Sequence, residues 1–171
     1  MNDALKILKT ESVKIFKKEP DSSFDPLKTG LVFFEDDLEG NLNSKLTTLN
    51  PNFAALVIDL IIESGLRPVN KNSSKDIPKI AIAFTGSMPG ANLAVLSACY
   101  AMGFDPVIIS SMSASNFGAL KYDRFSWLDM EYKLSRSNSI YFINRSVAAS
   151  RGKGRDSGFG LEESTIKLID N

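Results

Sequence analysis

Residues 80–84, Ile-Ala-Ile-Ala-Phe, form a continuous apolar run that leads into Thr85-Gly86-Ser87-Met88-Pro89-Gly90. A run of this kind is typical of a strand that is buried on both faces of a parallel sheet. The small residues at 91–102 predict a helix that ends at Gly103, and residues 106–109 predict a second buried strand. Because strands and helices alternate, the sequence predicts an α/β fold: a three-layer, Rossmann-like domain with a mainly parallel sheet.

Further elements are predicted on the N-terminal side of this unit. One face of an amphipathic helix is formed by Leu5, Leu8, Ser12, Ile15 and Phe16. Residues 19–29 have the composition of a connector, and residues 31–34 predict a short strand. Asn50 is predicted to cap a helix that has Pro51 at its first position and stops at Gly65. Its inner stripe would be Phe53, Leu56, Val57, Leu60 and Ile61.

The C-terminal third predicts one capped helix, two short strands and a last helix. Ser126 and Asp129 form a capping pair, and Glu131 is predicted to be a surface or interface residue. Residues 140–143 and 146–149 are the strand candidates, and the last helix would carry Leu161, Thr165, Leu168 and Ile169. We expect a single α/β domain over residues 1–171, with a helix and connector at 1–29 and the core at 30–171.

Composition excludes several classes of function. The chain has 171 residues, with 20 acidic and 20 basic side chains, no histidine and one cysteine. The absence of histidine excludes a Ser-His-Asp triad, a Cys-His dyad and a histidine-rich zinc site built from this chain alone. A net charge of zero argues against nucleic acid as a partner, because nucleic-acid surfaces show a basic excess. We expect neither a metal nor a cofactor.

Three loops of unusual composition are predicted at the carboxyl ends of the strands, where open α/β sheets bind ligands. The first offers N–H groups and a hydroxyl at a helix start, where the helix dipole favours an anion. The second is rich in hydroxyls, and the third carries positive charges among glycines. The predicted ligand-binding residues are Gly86, Ser87, Gly90 and Asn92 in the first loop, Ser110, Ser111, Ser113, Ser115 and Asn116 in the second, and Arg151, Lys153 and Arg155 in the third.

Each loop also has a simpler interpretation. Ser87 could only cap a helix, and the second and third loops could be solvated surface segments. Known motifs do not decide between these interpretations, because Ser87 directly follows Gly86 and the Gly-x-Ser-x-Gly pattern of a nucleophile elbow is not met. The dinucleotide fingerprint and the Walker A pattern are also absent.

Four blocks, in order along the chain, resemble the poly-gamma-glutamate system protein family. They are Gly40-x-Leu42-x-x-Lys45-x-Thr47-x-x-Asn50-Pro51-x-Phe53-Ala54-Ala55, Gly86-Ser87-x-Pro89-x-x-Asn92-Leu93-Ala94-Val95-Leu96, Ile109-Ser110-Ser111-x-x-Ala114-Ser115-x-x-Gly118-Ala119 and Phe125-x-Trp127-Leu128-Asp129-Met130-Glu131. The family is linked to bacterial poly-gamma-glutamate synthesis and export. The resemblance implies that the ligand is the anionic polymer or a glutamyl unit, and that Lys45, at the family's lysine position, pairs with a carboxylate. Otherwise Lys45 is a solvated surface lysine.

The resemblance also implies partners and a location. Family members are longer at the carboxyl end and often carry an N-terminal membrane anchor, so we expect a partner half, a homo-oligomer or membrane-bound synthase components. Membrane association would then come through partners or an anchor absent from this chain, on either side of the membrane. Three functions are consistent with this: an accessory protein that binds the polymer or a glutamyl intermediate, a gamma-glutamyl hydrolase or transferase with Ser87 as nucleophile and Lys45 as base, and a structural docking subunit.

Overall fold

The structure is a computed structural model that describes residues 1–34, 39–70, 77–119, 125–137, 146–152, 154–158 and 161–170. Its elements follow the order α1 (Asn2–Phe16), α2 (Leu42–Leu49), α3 (Phe53–Glu63), β1 (Lys79–Thr85), α4 (Pro89–Met102), β2 (Asp105–Ser111), α5 (Trp127–Ser135), β3 (Ala148–Ser150) and α6 (Glu163–Asp170). The described residues therefore form a mixed α/β fold.

The described strands form one parallel sheet in the order β1-β2-β3. In the register of β1 against β2, Lys79 lies opposite Asp105 and Thr85 opposite Ser111. Ser111 in turn lies opposite Ser150 of β3. Because all three strands run the same way, their carboxyl ends and the loops that follow them share one edge of the sheet. The predicted parallel sheet is confirmed.

The main core lies on one face of this sheet. Ile82, Phe84 and Ile108 face it and pack in the cluster that also contains Leu8 of α1 and Met130 of α5. On the other face of β2, Val107 and Ile109 are 38% and 52% exposed. The alternation follows from the period of two along a strand. One face of the described sheet is therefore buried under helices, and the other presents apolar side chains. The prediction that β1 and β2 are buried on both faces is wrong for the described residues.

Two helix predictions are confirmed in detail. Helix α1 covers the predicted N-terminal stripe and buries Leu5, Leu8 and Ser12. At the start of α5, the Ser126 hydroxyl accepts the Asp129 N–H, while the Asp129 carboxylate accepts the Ser126 N–H, which completes a capping box.

Other local predictions are wrong in position or in the side they bury. Residues 31–34 form no strand, although the Phe33 carbonyl accepts the Phe117 N–H at 2.8 Å. Helix α3 begins at Phe53, not at Pro51, and Asn50 ends α2. Leu56 and Leu60 of α3 are 48% and 55% exposed. The residues of α3 that pack inward, against Cys99, Met102 and Phe104, are Ile58, Ile61 and Ile62.

The C-terminal elements are shifted or lie elsewhere. Strand β3 begins at Ala148 and α6 begins at Glu163, each two residues later than predicted. The strand predicted at 140–143 lies outside the described residues. Among the described helices none alone has the length and apolar composition of a bilayer-crossing segment, although α2 and α3 meet such a criterion when taken together across an 83° bend.

Candidate functional site

The loops after β1 and β2 are joined by backbone hydrogen bonds at the carboxyl edge of the sheet. Gly86 N–H donates to the Ser111 carbonyl at 2.9 Å, and Ala119 N–H donates to the Gly86 carbonyl at 2.7 Å. A third bond involves a side chain, since the Ser115 N–H donates to Ser87 Oγ at 2.9 Å. The structure therefore brings the first two predicted loops together at one place.

Glycine at two positions allows this close packing. A Cβ atom at Gly86 would lie 2.7 Å from the Met112 carbonyl oxygen. A Cβ atom at Gly90 would lie 2.7 Å from the carbonyl carbon and oxygen of Thr48, which belongs to the backbone of α2. Real Cβ contacts are longer than this, so Gly90 lets α4 approach α2. That approach places the side chains of α2 beside the loop that starts α4.

Lys45 is the side chain of α2 that enters this junction. Asn41 caps α2 by accepting the Ser44 N–H at 2.9 Å, so the helix starts at a defined position. Lys45 is only 7% exposed. Its Nζ donates to the Ser87 carbonyl oxygen at 2.7 Å and to Ser115 Oγ at 3.0 Å. Lys45 is therefore not the solvated surface lysine of the alternative interpretation.

The electrostatics of Lys45 are unusual because both of its partners are neutral. Among the residues that the structure describes, no carboxylate forms an ion pair with Lys45. Burial lowers the pKa of Lys45 below its ordinary value of 10.5, since the ammonium loses water and gains no countercharge. We call Lys45, Ser87 and Ser115 the Lys45 site.

The Lys45 site keeps hydrogen-bond donors that no acceptor in the described part of the chain uses. An ammonium group has three N–H donors, and two of those of Lys45 are used. Ser87 Oγ and Ser115 Oγ each accept one bond, and neither hydroxyl donates to an acceptor within the described part of the chain. Both serines are half-buried, so they also border solvent. A donor-rich site around a cation is suited to an anion with several acceptor oxygens, such as a carboxylate.

Several other predicted ligand residues have side chains that serve the fold. Asn92 is 3% exposed, and its Nδ2 donates to the Thr85 carbonyl at 2.8 Å. Ser113 Oγ donates to the Arg151 carbonyl at 2.6 Å. Asn116 is 5% exposed, and its Oδ1 accepts the Phe117 N–H at 3.1 Å. The bonds of Asn92 and Ser113 hold neighbouring segments together, and none of these three bonds involves the Lys45 site.

Ser110 belongs to a second polar cluster, centred on Glu131. Glu131 is 4% exposed and accepts bonds from Trp127 Nε1 at 2.7 Å and from the Ser146 N–H at 2.9 Å. The Ser146 hydroxyl donates to it at 2.8 Å, and the Ser110 hydroxyl lies 3.4 Å away. The prediction that Glu131 is a surface or interface residue is therefore wrong. The sequence carries one signal for the burial of Glu131: it follows Trp127 by four residues, which places both side chains on one helix face.

The third loop contacts the second loop, and one of its two arginines, Arg151, is already paired with a carboxylate. Gly152 packs against Ser111, where an added Cβ would lie 2.8 Å from the Ser111 Cβ. Arg151 binds the Asp170 carboxylate of α6 through Nε at 2.8 Å and through Nη2. This pairing lowers the pKa of Asp170 and raises that of Arg151. Arg155 is exposed, and Lys153 lies outside the described residues.

The described residues also contain no group of three or more His, Cys, Asp or Glu side chains placed to hold a metal ion. Comparisons of the chain with protein-family models, with curated proteins and with solved structures found no match.

Proposed function

We propose that the protein assists poly-gamma-glutamate synthesis or export by binding a carboxylate of the anionic polymer, or of a glutamyl intermediate, at the Lys45 site. The observation that carries this proposal is the buried Lys45 ammonium with two neutral partners. A bound carboxylate would supply the missing countercharge. The resemblance of four sequence blocks to the poly-gamma-glutamate system protein family supports the choice of a glutamyl ligand.

The arrangement of donors favours a carboxylate over a single-atom anion. Two oxygens can accept bonds from the remaining Lys45 N–H and from the hydroxyls of Ser87 and Ser115 at the same time. Charge-assisted bonds of this kind are about twice as strong as neutral ones, and low exposure reduces their screening by water. In a gamma-linked polymer every residue keeps its α-carboxylate, so the chain presents such a group at each repeat.

A three-layer, Rossmann-like arrangement belongs to the same proposal. Parallel sheets normally bury both faces, and a third layer would cover the exposed Val107 and Ile109. The expectations on partners and location stay predictions. They are a homo-oligomer, a partner half, synthase components, a docking role, and membrane association through partners or an anchor.

The test is a calorimetric titration of the protein with short gamma-linked glutamate oligomers. We expect Lys45→Met to weaken binding by roughly 10-fold to 100-fold, because a charged hydrogen bond contributes about 1.5–3 kcal/mol. Lys6→Met is the matched control, since it makes the same charge change on an 80% exposed side chain. Equal affinity of the wild type and Lys45→Met, or an equal loss in both variants, would contradict the proposal.

A further inference from the structure

We infer that Ser115 and Lys45 form a serine–lysine dyad, with Ser115 Oγ as the nucleophile for acyl transfer from an amide or ester carbonyl. The geometry assigns this role to Ser115 and not to Ser87. Lys45 Nζ lies 3.0 Å from Ser115 Oγ, within the reach of a general base, whereas its contact with Ser87 is to the carbonyl oxygen at 2.7 Å. The bond to the Ser87 carbonyl oxygen holds the Lys45 amine in place, and the Ser87 hydroxyl is not a member of the dyad.

The surroundings of Lys45 favour a neutral amine, the form that a base must have. Helix α2 packs against α4 and α3. Helix α4 contains no charged residue, and the charged residues of α3, Asp59 and Glu63, are exposed. The loop residues 85–88 and 111–119 contain no charged residue either. Burial is therefore the cause of the lowered pKa of Lys45, and no acidic side chain in the described part of the chain opposes it.

The reaction would follow two balanced steps. In the first, neutral Lys45 takes the proton of Ser115 Oγ as that oxygen bonds to the carbonyl carbon, and then gives the proton to the departing amine or alcohol as its bond to carbon breaks. In the second, Lys45 takes a proton from a water molecule that attacks the acyl-serine, and returns it to Ser115 Oγ as the carboxylic acid leaves. The Ser87 hydroxyl, which accepts the Ser115 N–H, has a proton to donate to the developing oxyanion.

This inference rests on the proposed function only for the identity of the acyl group. The same amine would bind a carboxylate when protonated and act as a base when neutral, so the two properties should change in opposite directions with pH. Oligomer affinity should fall as pH rises through the pKa of Lys45, and the reactivity of Ser115 should rise over the same interval.

The experiment is reaction of the full chain with a fluorophosphonate, followed by intact mass measurement and peptide mapping, at several pH values between about 6 and 10. We expect a single adduct on Ser115 whose rate rises with pH. Ser115→Ala should abolish it, and Lys45→Arg, which keeps the charge but cannot act as a base, should slow it by roughly 100-fold or more. Ser97→Ala is the matched control, because its hydroxyl bonds the Leu93 carbonyl within α4, away from Lys45 and Ser115.

Circular dichroism of each variant checks that the fold is retained. An adduct on another serine, no adduct in the wild type, or an unchanged rate in a folded Lys45→Arg variant would overturn the dyad. Oligomer binding without labelling would overturn the dyad alone, and labelling of Ser115 without oligomer binding would overturn the proposed function alone.

Discussion

Replacement of Glu131 by alanine should destabilise the protein by about 4 kcal/mol. The carboxylate is 4% exposed and accepts two backbone or indole N–H bonds, from Trp127 and Ser146, at 2.7 Å and 2.9 Å. Removal leaves the buried Trp127 N–H and the half-buried Ser146 N–H without an acceptor, at a cost of about 2 kcal/mol and about 1 kcal/mol. The hydroxyls of Ser110 and Ser146 lie 2.6 Å apart and can bond each other, so they add little. The lost volume adds about 1 kcal/mol.

The assay is equilibrium urea unfolding followed by the fluorescence of Trp127, the single tryptophan of the chain. A loss of about 4 kcal/mol is a large part of the 5–15 kcal/mol that domains possess, so the midpoint should move markedly. Glu131→Gln keeps one acceptor oxygen and should lower the free energy of unfolding by less than Glu131→Ala does. Glu162→Ala, at an exposed position, should change the free energy of unfolding by less than about 0.5 kcal/mol. A loss below about 1 kcal/mol in Glu131→Ala would show that these N–H groups do not depend on the Glu131 carboxylate.

Three further predictions concern the helix that carries Lys45. Gly90→Ala should cost about 2 kcal/mol in the free energy of unfolding, because the new Cβ meets the backbone of α2 at 2.7 Å. The comparison variant is Gly65→Ala, whose Cβ meets no atom within 4 Å, although Gly65 has φ +97°. A cost for Gly90→Ala no larger than that for Gly65→Ala would contradict this prediction. Asn41→Ala should cost about 1 kcal/mol in urea unfolding through loss of the cap on Ser44, and no change would count against the assigned helix start. Because burial lowers the pKa of Lys45, the unfolded chain binds more protons than the folded one between that pKa and about 10.5. Wild-type stability should therefore rise, relative to Lys45→Met, as pH increases through this interval, and parallel pH profiles from urea unfolding would contradict it.

Local patterns were enough to predict the elements whose signals lie close together in sequence. The apolar run at 80–84 gave β1, and the spacing of Leu5 and Leu8 gave α1. The pair Ser126 and Asp129 gave the start of α5, because both partners of a capping box are three residues apart.

Side-chain burial was harder to predict where a segment has no polar face. Helix α3 is apolar nearly all round, so its sequence does not show that Leu56 and Leu60 face outward. Ile61 packs inward as predicted, but Ile58 and Ile62 do so as well. Residues 31–34 have the composition of a strand, but a strand needs a neighbour in a ladder, and these residues have none among the described strands.

The candidate site was predicted only in part because its contacts are long-range. Lys45 was singled out by resemblance, and Ser87 and Ser115 by loop composition. The contacts of Lys45 span 42 residues to Ser87 and 70 residues to Ser115, and no periodicity encodes such pairs. The burial of Glu131 likewise depends on Ser146, fifteen residues away in sequence.

Carboxylate binding by Lys45 is tested most directly by an NMR titration of its side chain, through the Cε signal, with and without saturating gamma-linked glutamate oligomer. The signal is assigned by its absence in Lys45→Met. We expect Lys45 to titrate below the ordinary lysine pKa of 10.5 in the free protein. With the oligomer bound it should titrate at a higher pH, because the bound carboxylate stabilises the ammonium. A titration at the ordinary lysine position, or one that the oligomer leaves unchanged, would contradict the claim that this buried lysine is the carboxylate-binding group.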